Sequence, residues 1–101
     1  MSKVDLKSFA ASLPQAWRSS IVGRPGGANL KVVRMDGSAY PEEVHAFDEA
    51  LLVLDGRMNL QIQGHTACVL AGEVFIVPAG VPHAVASDSS GTLIIVDAVQ
   101  Q

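Results

Sequence analysis

The chain is predicted to form an all-β domain, a barrel or sandwich, with one short helix ahead of it. Three observations carry this prediction. From Leu30 onward, short apolar runs alternate with turn residues at the spacing of successive strands. Those runs are rich in Val, Ile and Leu, which suit a pleated, half-buried surface. Helical spacing of apolar residues occurs clearly only near the N-terminus.

Taken in order, Asp5 is a natural N-cap, and Leu6, Phe9, Ala10 and Leu13 form one stripe that Pro14 stops, giving a helix over 5–13. Trp17 follows in a polar stretch and is expected to anchor this arm by packing. Gly23 to Asn29 is a loop by composition; it lacks a Lys-Ser/Thr ending and a following helix, so it does not read as a phosphate cradle. Leu30–Met35 is a strand closed by Asp36-Gly37-Ser38. Ala50–Leu54 and Met58–Ile62 flank Asp55-Gly56, which predicts a hairpin there. Gln63-Gly64 turns the chain into His65–Leu70, and Val74–Val77, Pro82–Ala86 and Thr92–Ala98 complete the series. Residues 1–28 are therefore assigned to a helix and arm, and residues 29–101 to the barrel, within one domain.

With 101 residues, 49% of them hydrophobic and 17% charged, the chain can bury a core, and disorder of the whole is excluded. Net charge is −3 and the basic residues are scattered, so no stripe for nucleic acid exists. No run reaches the roughly 18 apolar residues of a membrane span, and the first residues lack the apolar core of a signal peptide, so a cytoplasmic setting is expected. Cys68, the single cysteine, sits among Ala67, Val69 and Leu70 and is expected to be a buried, inert thiol. Leu51–Leu54, Val74–Val77 and Leu93–Val96 are apolar on both faces. One short helix cannot cover the outer side of all three, so packing against a second copy, a homodimer, is expected.

Strand alternation gives Glu43, His45 and Glu49 the same parity as Leu51 and Val53, which places them toward the barrel interior. His83 follows the turn Pro78-Ala79-Gly80 on another strand. Two imidazoles and a carboxylate from separate stretches make a divalent-metal site if they meet. Glu43 reads either as a fourth ligand or as a rim residue, with Glu42 in its place if the register slips by one. His65, beside Gly64 at a turn, reads as exposed without function. Tyr40 and Phe47 are placed at the barrel mouth, and the serines near Ser87 have no base beside them, so no nucleophilic triad is expected.

These two stretches resemble the motifs of the cupin superfamily. The first, Gly, a gap, His-x-His, three or four residues, Glu, six residues, Gly, is matched by Glu43-x-His45, three residues, Glu49, six residues, Gly56. The second, Gly-x5-Pro-x-Gly-x2-His-x3-Asn, is matched by Gly72, Pro78, Gly80, His83 and Ser87. The short segment between them is like that of compact bacterial single-domain members. The resemblance implies a jelly-roll barrel, often dimeric, with His45, Glu49 and His83 as metal ligands. Glu43 stands where the family's first histidine would be, and Ser87 where its asparagine would be. A set of two imidazoles and two carboxylates favours Fe, Mn, Zn or Ni over Cu(I). Without a cation the two carboxylates would repel, which argues for an ion or for Glu43 turned to solvent.

The expected function is a metal site open on one side that binds a small oxygen-rich molecule, as in an oxygenase or an isomerase. The alternatives are a non-catalytic small-molecule-binding barrel with a degenerate or empty site, and a purely structural dimer module. Fold alone does not choose among them.

Overall fold

The computed structural model describes residues 3–99; Met1, Ser2, Gln100 and Gln101, the outermost positions of the predicted arm and barrel segments, lie outside the described residues. Eight antiparallel strands make one curled sheet: β1 (Ser20–Gly23), β2 (Ala28–Asp36), β3 (Tyr40–Glu43), β4 (Glu49–Ile62), β5 (His65–Leu70), β6 (Val74–Val77), β7 (His83–Val85) and β8 (Ser90–Ala98). Helix α1 (Leu6–Ser12) precedes them. Asp5 caps it by accepting a hydrogen bond from the Ser8 amide, as expected of that residue at that place.

The sheet order is β1-β2-β8-β4-β7-β3, with β5 and β6 also paired to β4. Strand β4 is the spine. Its first half lies between β6 and β8, and its second half between β5 and β7. Interior positions run Glu49, Leu51, Val53 and then Met58, Leu60, Ile62, so the inward parity changes from odd to even in mid-strand. The change falls between Val53 and Asp55, just ahead of Gly56, where the register against β8 slips by one residue.

This overturns the predicted hairpin: the chain bulges between Val53 and Asp55 and continues through Asp55-Gly56 without reversing. Gly56 faces Gly91 across the ladder, both with positive φ. A Cβ on Gly56 would lie 1.9 Å from the Ser90 carbonyl oxygen, and one on Gly91 would lie 2.2 Å from that of Asp55. The Asp55 carboxylate accepts from the Thr92 amide, 2.6 Å away, and helps hold the bulge.

Two apolar clusters result. The larger fills the curl with Leu51, Val53, Met58, Leu60, Val77 and Leu93. The smaller lies outside, where Leu6, Phe9 and Ala10 of α1 cover Val32 and Ile94. The helix leaves Val74, Ile76 and Val96 exposed on the same outer face. Strands β1 and β3 were not anticipated, and β1 brings part of the predicted arm into the sheet by pairing with β2. Cys68 is exposed, contrary to expectation. Val69 takes the inward position, so Cys68 must point out, and the β4–β5 pairing brings Arg57 Nη2 within 3.2 Å of its sulfur. Among the described residues, no helix is long and apolar enough to cross a membrane.

Candidate metal centre

Glu49 opens β4 and points inward at 5% exposure. His83 opens β7 at 6% exposure, paired with Glu43 of β3 on one side and Ile62 of β4 on the other. His45 lies in the loop between β3 and β4 and not on a strand, so strand alternation does not set its direction; that loop is instead tied to the turn before His83. The Gly80 amide donates to the His45 carbonyl at 2.8 Å, and the Ala79 amide donates to Asp48 Oδ1 at 2.9 Å. Gly80 itself has φ +78°, a turn conformation that an L side chain rarely adopts. Thus the two sequence stretches are joined through backbone before any side chain meets.

The side chains then converge. Glu49 Oε1 lies 3.2 Å from His83 Nε2, and Glu49 Oε2 lies 3.8 Å from His45 Nε2. Glu43 Oε2 lies 3.3 Å from His45 Nε2. The two imidazole centroids are 5.7 Å apart. Glu43, His45 and His83 each offer one ligand atom within 4.8 Å of the others. Donors about 2.1 Å from a tetrahedral ion sit about 3.4 Å from one another, so this spacing suits a shared cation.

The donor chemistry agrees. His83 Nδ1 donates to the Val81 carbonyl at 3.0 Å, so that when the ring is neutral its lone pair lies on Nε2. That lone pair faces the Glu49 oxygen, another acceptor. Only a second proton or a cation between them makes the contact favourable. Phe47 stacks on the His45 ring, centroids 5.1 Å apart, and limits its rotation. The Glu43 carboxylate raises the Tyr40 phenol above its ordinary 10.0, first through its charge, with burial and the hydrogen bond between them adding to the effect.

Other expected positions sort cleanly. Glu42 is exposed, so the register does not slip in its favour, and His65 is exposed with Nδ1 against the Gln63 carbonyl. Ser87 is exposed, and its carbonyl accepts from the Asn59 side chain. A cavity of about 150 Å³ opens beside the four side chains. Tyr40 lines it, and so do Trp17 and Lys31, which the sequence reading had not placed there. The parity Lys31, Val33, Met35 on β2 was the available signal for Lys31.

A sequence model of the Cupin domain matches residues 31–99. The chain belongs to the cupin family. Quercetin 2,3-dioxygenase of Bacillus subtilis (strain 168) is 32% identical to this cupin over 77 residues, which are 72% of the chain and 23% of that protein. The cupin thus spans about a quarter of the length of this curated relative. Among solved structures, a cupin-2 domain containing protein from Shewanella frigidimarina aligns with TM-score 0.86 at 18% identity, covering 95% of this chain and 94% of that one. KdgF from Halomonas sp. aligns with TM-score 0.70 at 21% identity, covering 82% and 78%. These likenesses establish the barrel. The cupin's own Glu43, His45 and His83 are positioned to hold a metal ion.

Proposed function

We propose that this cupin holds one divalent ion, Fe, Mn, Zn or Ni, through His45, His83, Glu49 and Glu43, and uses it to take up a small oxygen-rich molecule. The observation that carries the reading is the buried 3.2 Å approach of His83 Nε2 to Glu49 Oε1, a contact that needs a proton or a cation between the two atoms. Two neutral imidazoles and two carboxylates balance a divalent charge and suit a borderline metal. A bound ion there would supply Lewis-acid chemistry and, for a redox-active metal, electron transfer.

The protein's own groups have distinct parts. Glu49 is shielded from water and sets the position of both rings. The side chain of Glu43 is 40% exposed and borders the cavity, so the carboxylate oxygen that it does not give to the ion is placed to accept a proton from a bound molecule. Phe47 steadies His45. The Bacillus subtilis relative is a dioxygenase by name, which supports oxygen chemistry on such a barrel. Quercetin itself is a three-ring molecule, and a cavity of about 150 Å³ is about the size of one ring. A smaller substrate is favoured. The contact of Glu43 with His45 at 3.3 Å also supports a second reading, a non-catalytic binding barrel whose polar groups satisfy one another.

The exposed Val74, Ile76 and Val96 support packing of two copies through this outer face. A reducing, cytoplasmic setting suits the free thiol of Cys68.

Elemental analysis of protein purified without chelator tests the metal. One equivalent in the wild type and none in His83→Ala is expected. No metal in either, after reconstitution with Fe, Mn, Ni and Zn, moves the assignment to the non-catalytic barrel.

A further inference from the structure

The cavity has a second polar feature, on a strand that carries none of the metal-site residues. Lys31 of β2 pairs across β8 with Ile95, which pairs in turn with Leu51 of β4. Lys31 therefore lies two strand spacings, about 10 Å around the curl, from the strand that carries Glu49. It lines the same cavity, and Val33, Leu51, Leu93 and Ile95 supply apolar wall between the two ends.

A lysine on the inner face of a barrel costs free energy unless it is paired, and here the pair is built. The Lys31 ammonium meets the Asp97 carboxylate, with side-chain exposures of 20% and 5%. Asn29 Nδ2 donates to the other Asp97 oxygen at 2.9 Å, and Arg24 Nε donates to Asn29 Oδ1 at 3.1 Å. Asp97 is thus fixed from two sides, and it fixes the lysine. An ammonium has three donors, and Asp97 occupies one of them. Core packing alone would favour an apolar residue at this position, since replacing a buried ion pair with apolar groups is often neutral or stabilising.

We infer that Lys31 is the second pole of the pocket, and that the molecule bound is a small organic carboxylate whose anionic end meets the Lys31 ammonium while its other, oxygen-bearing end faces His45 and His83. The inference rests on the metal reading above and adds the substrate class. The cavity sets the size, since about 150 Å³ is enough for a body like that of benzene. Asp97 is a positioning residue that acts through Lys31.

Zinc-loaded protein tests this with two probes that share a metal-binding hydroxamate but differ at the tail. Succinic acid monohydroxamate carries a carboxylate there, and butyrohydroxamate a methyl group. By titration calorimetry the wild type is expected to prefer the carboxylate probe about tenfold or more. The double variant Lys31→Met with Asp97→Asn, which leaves no lone buried charge, should bring the ratio to about one, and Lys31→Arg should keep most of it. Lys31→Gln serves as a second neutral variant if the double variant does not fold. Zinc content is measured on every protein. Full zinc with no preference in the wild type, or with the preference kept in the neutral variants, overturns the role of Lys31 and leaves the metal reading standing. Absence of zinc from the wild type overturns the metal reading and, with its first pole gone, this one too, so the zinc measurement separates the two failures.

Discussion

His83 takes its direction from a carbonyl two residues back. Val81 holds Nδ1, and Nε2 is left to face Glu49. The same logic operates where the arm meets the barrel. The Trp17 indole donates to Asp36 Oδ1 at 2.9 Å and to the Ser38 hydroxyl at 2.9 Å, and its ring lies 5.5 Å from that of Tyr40. The Ser38 hydroxyl does most to hold the Asp36 carboxyl below its ordinary 3.8, followed by the Ser38 amide and then Trp17. A carboxyl with a folded pKa below its unfolded value adds stability above about pH 3.8 and loses it as pH falls through the folded value. Since Trp17 is the sole tryptophan, its fluorescence reports on this clasp. An acid transition with its midpoint below 3.8, absent in Asp36→Asn, is expected; a midpoint at or above 3.8 would count against the clasp.

Among the elements, β4 decides the geometry, and its bulge lets one strand serve both halves of the curl. Gly56→Ala places a Cβ against the Ser90 carbonyl at a positive φ, and should cost about 3 kcal/mol or more. For a chain of this size that is a drop of roughly 12 °C or more in Tm, measurable by calorimetry; a change under about 4 °C would mean the bulge rearranges freely. The same element shows where sequence reasoning stops. Asp55-Gly56 between apolar runs is a hairpin signal, but a glycine that follows a bulge and faces a second glycine across the ladder gives the same pattern, and the partner Gly91 is distant in sequence. Tyr40-Pro41-Glu42-Glu43 reads poorly as a strand because proline and acidic residues are depleted there; β7 recruits it. By contrast, α1, β5 and β6 were legible from a cap, a turn and a run of apolar residues. So was the meeting of His45, Glu49 and His83, because the turn before His83 is marked by Pro78 and Gly80. Lys31 carries no motif, and only its shared parity with Val33 and Met35 marks it as inward.

For the whole molecule, the outer face is the open question of packing. Val74 and Ile76 are 53% and 54% exposed on β6, a strand paired only with β4 among the described residues, and Val96 lies on the same side. A row of apolar residues beside a free edge is a surface that folded proteins cover. Sedimentation is expected to find a dimer, and Ile76→Asp, which places a charge in the contact, a monomer that keeps its metal. A wild type that is monomeric at all accessible concentrations would contradict this packing.

In the proposed centre, four side chains from two stretches of sequence share one ion. Anomalous diffraction from crystals of zinc-loaded protein measures this directly. A single strong peak is expected about 2.0–2.3 Å from Nε2 of both His45 and His83, bordered by the Glu49 carboxylate. A peak elsewhere, such as at His65, or none between the two rings, would contradict it.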